Sequence, residues 1–269
     1  MNELNKPLSH ARKKYLKRLK LTKIYIKLMQ FLILFLFLLL WEIAVNHKII
    51  DGFMFSSPSR VVNTLILLHK SGELYTHIFT TLAETIAGFL LATITGFIIA
   101  VIFWFFEKTR KIFEPYVVVL NALPKIALGP IIIIAFGAGV RAIIFMTFLV
   151  TVIVTIINML NGFLHTDSGK VFLLKSMKAT KLQILIHLVI PYSMPTLFST
   201  LKVNVGLAWI GSIMGEYIVS RQGLGYLIVY GGQVLKLDLV MTSTLILCIL
   251  AALMYLIILF LQKILIKHR

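Results

Sequence analysis

Acidic residues are scarce: ten Asp and Glu stand against 27 Lys and Arg in a chain of 269, and there is a single cysteine, Cys248. One thiol cannot close an intrachain disulfide or build a cysteine metal cluster, which excludes a stapled secreted fold and a thiolate–zinc module. Cys248 lies in an apolar run and reads as a packing residue. Carboxylates paired at useful spacing are missing, and so are His-Glu-x-x-His and Gly-x-Ser-x-Gly, so neither a catalytic constellation nor a metal site is expected. The phosphate-cradling pattern Gly-x-x-x-x-Gly-Lys-Ser/Thr is absent as well. Gly169-Lys170 is followed by Val171, and no glycine stands five positions earlier. Nothing in this chain should hold ATP or another cofactor, and it does not read as an enzyme.

What the chain has is apolar length. Hydrophobic residues make up 59% of it and mean hydropathy is +0.95, more than a soluble domain can hide. A helix rises about 1.5 Å per residue, so about 20 apolar residues cross the hydrocarbon of a bilayer. Six stretches qualify: about 28–46, 82–106, 116–136, 142–163, 192–219 and 239–262. Unbroken runs such as Phe31–Leu40 lack the alternation of a closed barrel, and an open strand leaves its backbone unsatisfied in lipid. The expected fold is an all-α polytopic membrane protein with six transmembrane helices. It divides into a basic arm, 1–27, and a membrane domain, 28–269, with no polar linker between further domains.

The excess of positive charge would suggest nucleic acid in a soluble protein, but its placement argues against that partner. Nineteen Lys and Arg lie in the arm, the second-to-third loop, the fourth-to-fifth loop and the tail, against six on the opposite side. Basic loops mark the cytoplasmic face, so both termini are expected inside. The arm resembles the start of a signal peptide, but Trp41–Asn46 offers no small-residue cleavage site and an uncleaved anchor is expected. Leu16, Leu19, Leu21, Ile24 and Ile26 among lysines fit either an interfacial helix on anionic lipid or a solvated tail.

Outside the spans, Ser57-Pro58 should open a short external helix, Ser as N-cap and Pro at its first position. Its apolar face would be Val61, Val62, Leu65, Ile66 and Leu68. In span two, Ala87, Gly88, Ala92 and Gly96 form a small-residue face suited to close helix packing. Pro124 and Pro130 should kink span three, with Gly129 between them, and Gly206, Gly211 and Gly215 punctuate span five.

Residues 164–190 carry the most functional information. Asp167 or Ser168 can cap a helix, and apolar residues at 171, 174 and 177, then 182, 185, 186 and 189, predict two short helices bent near Lys178. Too short and charged to span, they should form a rigid elbow along the membrane face, a feature that a soluble motor domain can grip.

Ionisable groups within spans are costly and mark either function or structural pairing. Lys125, with Asn121 four residues before it, and the seven-residue series Lys202, Trp209, Glu216 stand out. The lysines either create a positive potential in a solute pathway or bind carbonyls and carboxylates that hold spans together. Glu216 fits a gate or a simple interfacial carboxylate. Glu84 should pair with a basic group or lie near the outer surface. Trp104 and Tyr217 read as belt anchors.

The elbow resembles the coupling helix of the permease subunits of bacterial ABC importers. Leu188-Val189-Ile190-Pro191 matches the end of that motif, which puts the family's glycine at Lys178 and its Glu-Ala-Ala at Phe172, Leu173 and Leu174, where this chain departs from the pattern. Ala179-Thr180 is similar to the Ala-Ser that follows the glycine. Further fragments resemble nitrate, sulfonate and taurine permeases: Trp41-Glu42-Ile43-Ala44, Ser57-Pro58-Ser59, Pro124–Pro130, Ala208-Trp209, Glu216 and Gly223–Tyr226. The resemblance implies a coupling-helix loop between helices four and five, with Leu174, Lys175, Ser176, Met177, Lys178, Ala179, Thr180, Lys181 and Pro191 in contact with an ATPase. It implies a pathway near Asn121, Pro124, Lys125, Pro130, Lys202, Trp209 and Glu216. It also implies a permease homodimer in the bacterial cytoplasmic membrane, two ATPase subunits that bind the ATP, and an extracytoplasmic substrate-binding protein. The implied cargo is a sulfonate, taurine, nitrate or a thiamin-precursor pyrimidine. A gradient-driven secondary transporter is the alternative, resting on the carboxylate Glu216.

Overall fold

A computed structural model describes residues 10–266, and it is helical throughout with no strand among them. The chain forms two compact units divided between Asn63 and Thr64. The first nine residues of the arm and the last three of the tail lie outside the described residues.

In the first unit, α1 runs from His10 to Asn46. The arm from residue 10 and span one are therefore one continuous helix of 37 residues, with no break where the charge ends. At the usual rise that is about 55 Å, well beyond the hydrocarbon thickness. From Phe31 to Leu40 every side chain is exposed and apolar, as a lipid-facing helix requires. The short α2, Gly52–Phe55, starts at Asp51, whose carboxylate accepts from Phe53 N at 2.8 Å. Helix α3, Pro58–Lys70, which contains the division between the units, opens as expected, with Ser57 Oγ accepting from Arg60 N at 3.4 Å. Its start is tied to the end of α1 by Glu42, which accepts from Ser59 N at 3.0 Å and Ser59 Oγ at 2.8 Å. The buried stripe of α3 is narrower than the pattern implied: Val61 and Leu68, two turns apart, are buried, while Val62 and Ile66 are exposed.

The second unit is organised by three long helices: α4 (Glu73–Phe105), α7 (Val140–Leu164) and α11 (Met194–Val219). Small residues set their register. A Cβ on Gly88 would come within 2.5 Å of Thr147, and one on Gly96 within 2.6 Å of Thr155, so α4 and α7 run parallel in close contact. A Cβ on Gly211 would meet Thr147 Cα at 2.6 Å, one on Gly215 would meet Ile143 Cα at 3.1 Å, and one on Gly162 would meet Thr196 at 2.9 Å, so α11 runs antiparallel to α7. Lipid supplies no hydrophobic drive between helices, and backbone approach of this kind is what gains packing there. The seam also carries polar groups, most of them hydrogen-bonded within it. Thr147, Thr151 and Thr155, fully buried at i, i+4 spacing, donate to the carbonyls of Ile143, Thr147 and Thr151. Asn204 Nδ2 donates to Thr155 Oγ1 at 2.8 Å, and Thr85 Oγ1 to Ser212 Oγ at 2.7 Å. This threonine ladder was not anticipated from sequence, where Thr in an apolar run blends with β-branched neighbours.

Between α4 and α7 the expected kinked span is a broken one. Helix α5, Glu107–Ala122, and the segment Lys125–Phe136 meet at 87°. Pro124 restricts the residue before it to extended backbone, and Leu123 is there at φ −64° and ψ 139°, ending α5. A 3₁₀ turn, Lys125–Leu128, leads into α6, Gly129–Phe136, in whose first turn Pro130 sits. Pro130 therefore starts a helix and does not kink one. The remaining elements are α8 (Ser168–Ser176), α9 (Lys181–Ile184), a π turn (Leu185–Val189), α10 (Ile190–Tyr192), α12 (Leu224–Gln233) and α13 (Leu237–Ile266). Among the described residues, five helices are long and apolar enough to cross a membrane, and the bent pair makes a sixth span if counted as one. Cys248 on α13 is exposed, so its expected packing role within this chain is not what the fold shows.

Candidate functional site

The elbow sits where α7 ends and α11 begins. Asp167 caps α8, its carboxylate accepting from Gly169 N at 2.8 Å and Lys170 N at 3.3 Å. At the other end Lys178 N donates to Lys175 O at 2.9 Å and Ala179 N to Leu174 O at 3.0 Å. Those two bonds with a left-handed residue between them make a Schellman stop, and Lys178 has φ 58°. The bend therefore falls at Lys178, the position where the sequence resemblance puts a glycine. Thr180 then opens α9 through a reciprocal cap: Thr180 Oγ1 accepts from Gln183 N at 3.3 Å, and Gln183 Oε1 accepts from Thr180 N at 2.7 Å.

Packing fixes the elbow to the bundle. Leu174, Ala179, Leu188 and Ile190 pack against a core built from Phe163, Ile184, Leu185 and Val189. Lys181 Nζ donates to the carbonyl of Phe105 at the end of α4, and lies 5.6 Å from the Trp104 ring and 5.0 Å from that of Phe105. Trp104 is thus a partner of the elbow as well as a residue near a span end. Lys175, Ser176, Met177 and Lys178 are exposed, and Ser176 Oγ donates to Phe172 O at 3.1 Å. Phe172, Leu173, Met177 and Leu182 show 71%, 59%, 70% and 54% of their surface, an apolar ridge on an otherwise basic element. Pro191 stands in the first turn of α10, just after the π turn.

The opposite end of the three-helix core holds a buried polar lock. Glu216 Oε2 accepts from Gly225 N at 2.6 Å and Tyr226 N at 3.4 Å. Leu224 N donates to Thr81 Oγ1 at 2.8 Å, and Gly223 N to His77 Nδ1 at 2.9 Å. Four successive amides of the turn into α12 are thereby held by α4 and α11. A Cβ on Gly223 would lie 2.4 Å from the Glu216 carboxylate, so glycine is required there, both for that approach and for its φ of 111°. Glu84, buried to 1% exposure, lies beside Glu216. It pairs with no basic group among the described residues, unlike the first of the two sequence expectations. The neighbour it found, Glu216, is far away in sequence, and no local spacing signals the contact.

The residues expected along a pathway differ in their surroundings. Lys125 Nζ bonds to Asn121 O at 3.2 Å and Asn121 Oδ1 at 3.4 Å across the break, as their spacing suggested. The 87° bend removes the premise that Lys125 continues down one helix axis. Asn121, Pro124 and Pro130 are exposed and Lys202 is half-buried, whereas Trp209 and Glu216 are buried at 4% and 1%.

Residues 92–269 match the family described as binding-protein-dependent transport system inner membrane component. The chain belongs to this family. It is a membrane-spanning permease subunit of an ABC importer, a class that works with ATPase and substrate-binding subunits. The permease is 29% identical over 203 residues to the putative aliphatic sulfonates transport permease protein SsuC of Escherichia coli, covering 76% of this chain and 77% of that one. It is 29% identical over 189 residues to the formylaminopyrimidine transport permease protein ThiX of Halalkalibacterium halodurans, covering 70% and 75%. The fold is also that of the permease in an inward-facing MetNI methionine ABC transporter, with TM-score 0.63 at 20% identity, covering 71% of this chain and 94% of that one.

Proposed function

We propose that two copies of the permease form a pathway for a small polar or anionic solute across the cytoplasmic membrane, and that separate ATPase subunits drive it by gripping the 165–193 elbow. One observation carries this reading: the exposed ridge of Phe172, Leu173, Met177 and Leu182 stands on an element capped at both helices and pinned to α4 by Lys181. Apolar residues clustered on a charged, rigid protrusion favour a protein partner. The chain has no phosphate-cradling motif, so ATP is bound in the partners. The basic loops orient both termini and the elbow toward the cytoplasm, and the lock at Glu216 lies at the outer end. Rotation of the grasped elbow is transmitted through the close-packed α4–α7–α11 core, and the two access states differ in contact energy at the elbow. Asn121, Pro124, Lys125, Pro130 and Lys202 are the pathway candidates, with Trp209 and Glu216 acting from behind the pathway wall.

A sulfonate or similar anion is the first cargo, supported by the SsuC relative and the two intramembrane lysines. A formylated pyrimidine is the second, supported by ThiX. Family membership weighs against the gradient-driven alternative. The test is co-purification of the tagged permease with its neighbouring ATPase, wild type against Lys178→Glu with Thr180→Asp. Aspartate preserves the N-cap, so the elbow keeps its shape while gaining negative charge. Loss of the ATPase from the variant alone is expected. Equal recovery from both would refute elbow docking.

A further inference from the structure

Behind the elbow lies a cavity of about 620 Å³ whose walls come from the ends of α4 and α7 and from α8, α9 and the π turn. Its walls are mainly apolar, including Trp104, Phe163, Val171 and Val189, and its polar edge holds Lys175, Lys181, Ser168 and Thr166. Thr166 is the telling residue. It is 8% exposed, lines this cavity, and its Oγ1 has no hydrogen-bond partner among the described residues. A buried hydroxyl left unpaired costs about 1–3 kcal/mol, and an acceptor placed in the cavity would remove that cost.

Apolar walls, an unpaired hydroxyl donor and two ammonium groups at the edge describe an amphiphilic anion. We propose that the cavity binds an anionic phospholipid, its phosphate between Lys175, Lys181 and Thr166 and the first part of its acyl chains against Trp104, Phe163 and Val189. Resting on the cytoplasmic assignment of the elbow, the site lies where the inner leaflet's headgroups meet the ends of the spans. A tryptophan at that depth is at home in the interface, and basic pockets at the ends of spans suit anionic headgroups. Lys181 already donates to Phe105 O, but its ammonium has three donors, so it can hold that carbonyl and a phosphate oxygen together. Two negative groups lie nearby: Asp167, which is engaged in the α8 cap, and Glu107, which is paired with Lys111 at 2.8 Å. The consequence for function is that lipid behind the elbow would stiffen the element the ATPase grips.

The full-length permease carrying Trp41→Phe keeps Trp104 as its accessible indole, Trp209 being buried. In nanodiscs it is titrated with brominated phosphatidylglycerol or brominated phosphatidylcholine, and quenching of Trp104 is followed. Each lysine near an anionic surface contributes about fivefold, so phosphatidylglycerol is expected to quench at a several-fold lower fraction. Lys175→Gln should remove about fivefold of that preference, Thr166→Val should weaken it, and Lys178→Gln, which is outside the cavity, should leave it unchanged. Both lysine variants leave the Lys181–Phe105 bond in place. Equal quenching of the wild type by the two lipids, or a preference left undiminished by Lys175→Gln, would overturn the proposal. So would displacement of the lipid by the purified ATPase, which would put a protein segment in the cavity. ATPase co-purification is a separate readout. Equal ATPase recovery from wild type and from Lys178→Glu with Thr180→Asp, with the lipid preference intact, refutes elbow docking and leaves this site standing. Loss of the ATPase from that variant, with no lipid preference in the wild type, leaves coupling standing without the lipid.

Discussion

Single glycines fix how closely the membrane helices approach. Gly88 faces Thr147 at a distance where no added carbon fits, whereas a Cβ on Gly206 would meet nothing within 4 Å. Gly88→Ala should therefore destabilise the permease by about 1–3 kcal/mol through overpacking. Gly206→Ala should be neutral or slightly stabilising, by at most about 1 kcal/mol of helix propensity. Thermal unfolding in one detergent decides between them, and equal losses at both positions would refute the packing described for α4 and α7. The four-residue spacing of Gly88, Ala92 and Gly96 made this face legible in the sequence. The partners were not legible, because Thr147 and Thr155 read as part of an apolar run until a second helix is laid on them. The neighbour of Glu84 was hidden for the same reason: Glu216, and not a basic group, is brought to it by packing.

At the scale of elements, the two short helices of the elbow, their bend and the cap at Asp167 were all readable from periodicity and capping chemistry. What the sequence could not give is the conformation of the bend. Lys178 occupies the left-handed region, which costs a residue with a Cβ about 1–2 kcal/mol. Lys178→Gly should accordingly stabilise the elbow by about 1 kcal/mol, seen as slower hydrogen exchange across Leu174–Gln183. Faster exchange there would contradict the Schellman geometry. Span three shows the opposite case. Both prolines were visible, but each was expected to kink a continuing helix. Pro124 instead forces Leu123 out of the helical region and Pro130 restarts the chain in a new direction, a distinction that depends on the residue before each proline more than on the proline itself.

For the molecule as a whole, the three-helix core has two differently built ends. One carries the elbow between α7 and α11, and the other the turn into α12 clasped by His77, Thr81 and Glu216. Hydropathy gave the number of crossings and charge gave their expected orientation, since both depend on composition along the chain. The assembly of α4, α7 and α11 depends on contacts across the chain and had to be observed. Coupling requires that the ATPase touch the elbow end and no other. The most direct measurement is cross-linking from an introduced cysteine to the partner ATPase, in a Cys248→Ser background because the native thiol is exposed. Met177→Cys on the elbow ridge and Tyr75→Cys near the start of α4 sample the two ends, both side chains being exposed. A covalent adduct with the ATPase from Met177→Cys and none from Tyr75→Cys is expected. An adduct from Tyr75→Cys, or none from Met177→Cys while the ATPase remains bound, would contradict the assignment of the elbow as the coupling element.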